Sequence, residues 1–153
     1  MNQLFAITQQ NRKILNRFLT NLTEIELFTI PKGFNNNIWW NIAHVVVTQQ
    51  KLVYGLSAMP LNISQELVEK YQKGTFPKEI PNEFEVEEIT RLLFELPDQT
   101  IKDYQSGTFK GFKTYLTLPK VELNSVEDAI AFNVFHEGLH LGSIMALARA
   151  VKV

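Results

Sequence analysis

The chain contains no cysteine. That excludes a disulfide framework, a thiolate zinc site and a cysteine nucleophile together, and it fits a reducing compartment, where disulfides have little use. An excess of charge of one sign is missing too: 15 Lys and Arg stand against 16 Asp and Glu, a formal net charge of −1, and no basic block interrupts the mixture. A nucleic-acid partner would need a basic face and an anionic membrane a Lys/Arg cluster, so neither class is expected. No apolar run is long enough to span a bilayer, since the strongest, Ile38 to Val47, is short and contains Asn41 and His44. Met1 to Lys13 lacks the basic-then-apolar order of a signal peptide, which makes the cytoplasm the expected location. Internal repeats and low-complexity segments are absent as well.

What is present suits one domain over residues 1–153, because 45% apolar and 20% charged residues are ordinary values for a chain that buries a core. Leu4, Ile7, Ile14, Leu15, Phe18, Leu19 and Leu22 recur at helical spacing, so roughly the first 22 residues read as an amphipathic helix. Pro31 and Gly33 break the chain, and Asn35 to Asn37 offer capping oxygens for a second helix from Ile38 to Leu56, apolar around most of its circumference. Ser64 to Gln72 predicts a short helix. Asn82 with Glu85 resembles a capping box for a third long helix, which Pro97 should kink or end and Asp98 to Tyr104 can continue. Gly107 to Leu118 reads as an extended connection or β-ribbon, and Ser125 with Asp128 caps a last helix running nearly to the C-terminus. The expected fold class is all-α, a four-helix bundle with a short extended or β-ribbon connection before the last helix.

The chemistry gathers on the only three histidines. His136 and His140 are four residues apart, so on a helix they share one face. At about 100° per residue their sector also holds Ala129, Phe132, Leu139, Ile144 and Leu147, the packed side of that helix. Imidazoles that face a core need partners, and one divalent ion serves both. The plainer alternative is a pair of core histidines, each hydrogen-bonded to a carbonyl or hydroxyl. His44 shares a narrow polar arc of the second helix with Asn41 and Thr48, either the wet side of that helix or the lining of an internal cleft. In the second case it completes a three-histidine face with at least one position left open.

Two other readings compete for the same residues. His136-Glu137-Gly138-Leu139-His140 matches the zinc-peptidase pattern in which the glutamate is general base, but no His, Asp or Glu follows to serve as third ligand and no sheet of the kind that binds an extended peptide is expected. A di-iron site would need a second Glu-x-x-His, where the second helix offers Asn41-Ile42-Ala43-His44. Glu137, about 60° from His140 on the wheel, is the candidate general base or the partner of a ligand imidazole, against the alternative of a solvated helix glutamate. Asn41, Asn133, Thr48 and Ser143 are further candidate contacts. A bundle that binds metal or a small molecule without catalysis is a second class of function. A third is a partner-binding module using Trp39, Trp40 and Tyr54, although aromatics so spaced are more often core.

A histidine in the second helix, followed by a last helix reading Phe135-His-Glu-Gly-Leu-His-Leu-Gly-Ser-Ile-Met-Ala-Leu-Ala-Arg149, resembles the DinB superfamily across essentially the whole chain. The resemblance implies an up-down-down-up bundle that often dimerises, with His44, His136 and His140 as metal ligands. It also implies a small-molecule substrate, since family members of known activity are metal-dependent transferases and isomerases that use low-molecular-weight thiols. Many members carry Gly-Gln after the second histidine of this helix, where Leu141-Gly142-Ser143 stands here. Imidazole ligands suit a divalent transition metal, zinc or nickel ahead of iron or manganese, and with no cysteine in the chain any thiol must come from outside, which is compatible with a thiol-dependent transferase and equally with a hydrolase acting through a metal-bound water.

Overall fold

A computed structural model describes residues 1–152. The helices are α1 (Asn2–Asn21), α2 (Glu24–Phe28), α3 (Ile38–Gln50), α4 (Gln65–Tyr71), α5 (Glu83–Gln105) and α6 (Val126–Ala150), with a two-residue ribbon of β1 (Tyr115–Leu116) and β2 (Glu122–Leu123) before α6. The fold is therefore all-α, with α1, α3, α5 and α6 as the four members of the bundle. Asn41 meets His140 and His44 lies beside His136, so α3 and α6 are antiparallel. Gln9 donates to Asp98 and Phe5 packs on Tyr104, so α1 and α5 are antiparallel as well. Phe5 clusters with Val126 and Ile130 while Arg12 reaches Glu137, which makes α1 and α6 parallel. The result is the up-down-down-up order.

Local sequence sets most of the boundaries. Asn37, Ser64, Asn82 and Ser125 each accept a hydrogen bond from the backbone N–H three residues on, as N-caps should. The expected capping box at Asn82 is only half formed: the Glu85 carboxylate turns inward to Tyr71 Oη and Lys70 Nζ. The short α2 was not anticipated, although Thr23 and Glu26 form a complete capping box there. Pro97 neither ends nor interrupts α5; it is buried, and the helix continues to Gln105.

The expected second helix runs on past Gln50 as one π-helical turn, Lys51–Gly55, in which Leu56 N–H reaches back to Lys51 O. The wider turn places Leu52, Val53 and Tyr54 all in the interior. Nearly every residue of α3 is buried, including Ile42, Val45, Val46 and Val47, because α3 packs against α2, α4, α5 and α6. Trp39, Trp40 and Tyr54 are core residues rather than an interface. No helix among the described residues is long and apolar enough to cross a membrane.

Candidate metal centre

The antiparallel seam of α3 and α6 brings the three histidines together: one ring nitrogen from each of His44, His136 and His140 lies within 4.8 Å of the other two. The ring of His136 is 4.5 Å from that of His140 and 5.2 Å from that of His44. Hydrogen bonds decide which nitrogens face inward. His44 Nδ1 lies 2.6 Å from Tyr71 O, and a carbonyl only accepts, so Nδ1 carries the proton and Nε2 a lone pair. Trp40 stacks on the same ring at 4.6 Å and 12° and fixes its plane. Thr48 Oγ1 donates to Nε2 at 3.2 Å.

His140 is oriented in the same manner. Its Nδ1 is 2.8 Å from Asn41 Oδ1, and the Asn41 amide is held in that sense because its Nδ2 donates to Asn37 O and Asn36 Oδ1. The Nε2 lone pair of His140 then faces His136 Nε2 at 3.1 Å. Two lone pairs at that distance repel unless one nitrogen is protonated or a cation lies between them. With Zn–N bonds of 2.0–2.1 Å, tetrahedral nitrogens stand about 3.3 Å apart, close to the observed separation.

Electrostatics agree with a ligand set. Burial, followed by the neighbouring imidazoles, pushes His136 down to about 3, and burial with His44 pushes His140 down to about 4. His44 is lowered too, by burial first, against the Tyr71 hydrogen bond that opposes it. All three rings are neutral near pH 7, the form that binds metal. His136 and His140 remain partly exposed, so the cluster is open to solvent on one side.

Glu137 lies elsewhere. It is fully buried, which overturns the solvated-glutamate alternative, and it faces α1 rather than α3. Its Oε1 accepts from Arg12 Nη2 at 2.6 Å, Arg12 Nε at 3.0 Å and Asn133 Nδ2 at 2.9 Å; its Oε2 accepts from Asn11 Nδ2 at 3.1 Å. Each hydrogen bond the carboxylate makes is thus to α1 or to its own helix. Asn133 serves Glu137 rather than an imidazole, and Ser143 is exposed with its hydroxyl donating to Leu139 O. Leu139, placed on the packed side by the wheel, is 53% exposed, because the buried stripe runs through Ala129, Asn133, Glu137, Ile144 and Leu147 and leaves the histidines at its edge.

Arg12 and Asn11, and the Tyr71 carbonyl, were not anticipated. The one sequence signal for Arg12 is a charge falling on the apolar stripe of α1, between Thr8 and Leu15. The comparison with protein families places the chain plainly: the DinB superfamily model matches residues 7–144. No curated protein matches it.

Proposed function

Because the chain belongs to the DinB superfamily, we propose that it is a metal-dependent enzyme that holds one divalent transition metal on His44, His136 and His140 and acts on a small molecule together with a low-molecular-weight thiol. The observation that carries this reading is the convergence of three neutral imidazoles, two of them with Nδ1 already committed to an acceptor. Bound there, the ion would acidify a water or a thiol sharing its open position. Zinc or nickel suits the donor set first, then iron or manganese.

The chain's own groups supply positioning. Tyr71 O and Asn41 set the tautomers of two ligands, and Trp40 blocks rotation of the His44 ring. The rings, neutral through burial, accept an ion without first giving up a proton to solvent. Glu137, engaged with four donors, ties α6 to α1 in this reading, and the thiol or an external base handles the proton. A peptidase is disfavoured, because the glutamate of the pattern does not point to the cluster and the only sheet among the described residues is a ribbon of two short strands.

The test is metal analysis of untagged protein, followed by thiol titration of the cobalt-loaded form. About one equivalent of metal, lost in His136→Ala, with a sulfur-to-cobalt charge-transfer band on adding thiol, supports the proposal. Metal without a thiol band reduces the site to a tie between α3 and α6; no metal after incubation with zinc, nickel and manganese removes it.

A further inference from the structure

The exposed sides of α5 and α1 are charged: Glu83, Glu87, Arg91 and Glu95 on the one, Lys13 and Arg17 on the other. The outer side of α6 is not. Between Asp128 and Arg149 no exposed residue of α6 is charged, and the one polar residue, Ser143, turns its hydroxyl back to Leu139 O. Phe135, Leu139 and Met145 stand out of this side with 49%, 53% and 52% of their surface open to water. A helix apolar on every side is ordinarily covered on every side, and a continuous apolar strip marks a contact surface. Gly138 and Gly142 lie on the same strip. A Cβ built on either would meet no atom within 4 Å, and neither has a positive φ. Glycine inside a helix weakens it relative to alanine, and nothing within the chain requires either one.

The strip is complementary to itself. Alternating steps of three and four residues lead from Asp128 through Ala131, Phe135, Gly138, Gly142 and Met145 to Arg149, the spacing of a seam between two helices. An acid closes its N-terminal end and a base its C-terminal end. The geometry points to a pairing of two copies of the chain through this face of α6, antiparallel, about an axis between Gly138 and Leu139. In that register Asp128 faces the partner's Arg149, and Ala131 the partner's Ala146. Phe135 lies over the partner's Gly142 and Leu139 over the partner's Gly138, so each large side chain meets a position that carries none. A two-fold contact makes every one of these twice. Parallel pairing would set Asp128 against its own copy and Phe135 against Phe135, and would leave the glycine gaps facing each other unfilled, which close-packed interfaces do not tolerate. A membrane surface is a poorer occupant, because Arg149 is the one base along the strip. The pairing does not rest on the metal reading.

Sedimentation equilibrium of the full-length protein tests the pairing. The wild type shows twice the 17.6 kDa mass of the chain and falls toward the monomer on dilution. Gly142→Glu, which has room in the single chain but sets a charge beneath the partner's Phe135, sediments as a monomer with an unchanged far-ultraviolet circular dichroism spectrum. Leu139→Ser does the same. The register has its own test, made unambiguous by the absence of native cysteine. Ala131→Cys and Ala146→Cys chains, mixed and mildly oxidised, cross-link to each other, whereas neither cross-links to itself, because disulfide geometry requires Cβ atoms about 3.5–4.5 Å apart. A wild type that stays monomeric at millimolar concentration, or a dimer that survives Gly142→Glu, overturns the interface. Self-linking of the Ala131→Cys chain overturns the antiparallel register. His136→Ala keeps the dimer, so failure of the metal site and failure of the pairing are read separately.

Discussion

His136 and Glu137 are neighbours in sequence on one helix, yet they enter two different seams and meet opposite conditions. Glu137 faces α1 and is saturated: one buried cation and two amides occupy its oxygens. His136 faces α3, where its Nε2 is set against another imidazole nitrogen and its Nδ1 has no protein partner. A saturated buried charge is structure. Imidazole nitrogens gathered from two helices, two of the rings with Nδ1 already committed elsewhere, present lone pairs that a cation can share, and that arrangement marks the candidate site more clearly than the identity of any single residue.

Breaking the saturated seam has the largest expected effect. Arg12→Ala leaves the Glu137 carboxylate buried without its cation, and should destabilise the metal-free protein by about 3–5 kcal/mol in urea denaturation. Arg12→Leu with Glu137→Leu should cost less than Arg12→Ala alone, since no charge is then stranded. The incomplete seam responds differently. His136→Ala should leave the metal-free fold nearly intact but abolish the zinc-induced rise in stability, about 2.7 kcal/mol at a hundredfold excess over Kd, read as a shift in Tm. Glu137→Gln should keep that rise, because its carboxylate is committed to α1. Asn41→Ala should retain one equivalent of metal but bind it about 10–100-fold more weakly by chelator competition, through loss of the acceptor that orients His140. Smallest is Thr48→Val: it should cost the metal-free protein about 1 kcal/mol at most, for the hydroxyl that donates to His44 Nε2, and the zinc-loaded protein less.

The two seams also differ in how far they can be read from sequence. His136 and His140 at a four-residue spacing, with His44 on a polar arc of the buried α3, are local patterns, and the helix periodicities and caps at Asn37, Asn82 and Ser125 are local too. The Arg12–Glu137 pair spans 125 positions, and nothing nearby in sequence announces it; charged residues default to the surface, so Glu137 reads as solvated or catalytic until its partner is placed. The same limit applies to Tyr71, whose contribution is a backbone carbonyl that any residue carries. Leu139 fails in the other direction: the wheel defines a face, but neighbouring helices decide how wide the covered part is. The π turn at Lys51–Gly55 departs from the 3.6-residue period altogether.

The Tyr71 carbonyl has a consequence for how such a centre changes over time. An acceptor supplied by the main chain survives every point substitution at its own position, whereas an amide side chain is removed by one. Of the three candidate ligands, His44 is therefore insulated from drift, and His140 is exposed to it through a single codon, that of Asn41. Natural variation that adjusts the basicity of the ligands, and with it the preference for one metal over another, should accumulate beside His140 and His136 while His44 keeps the same hydrogen bond throughout.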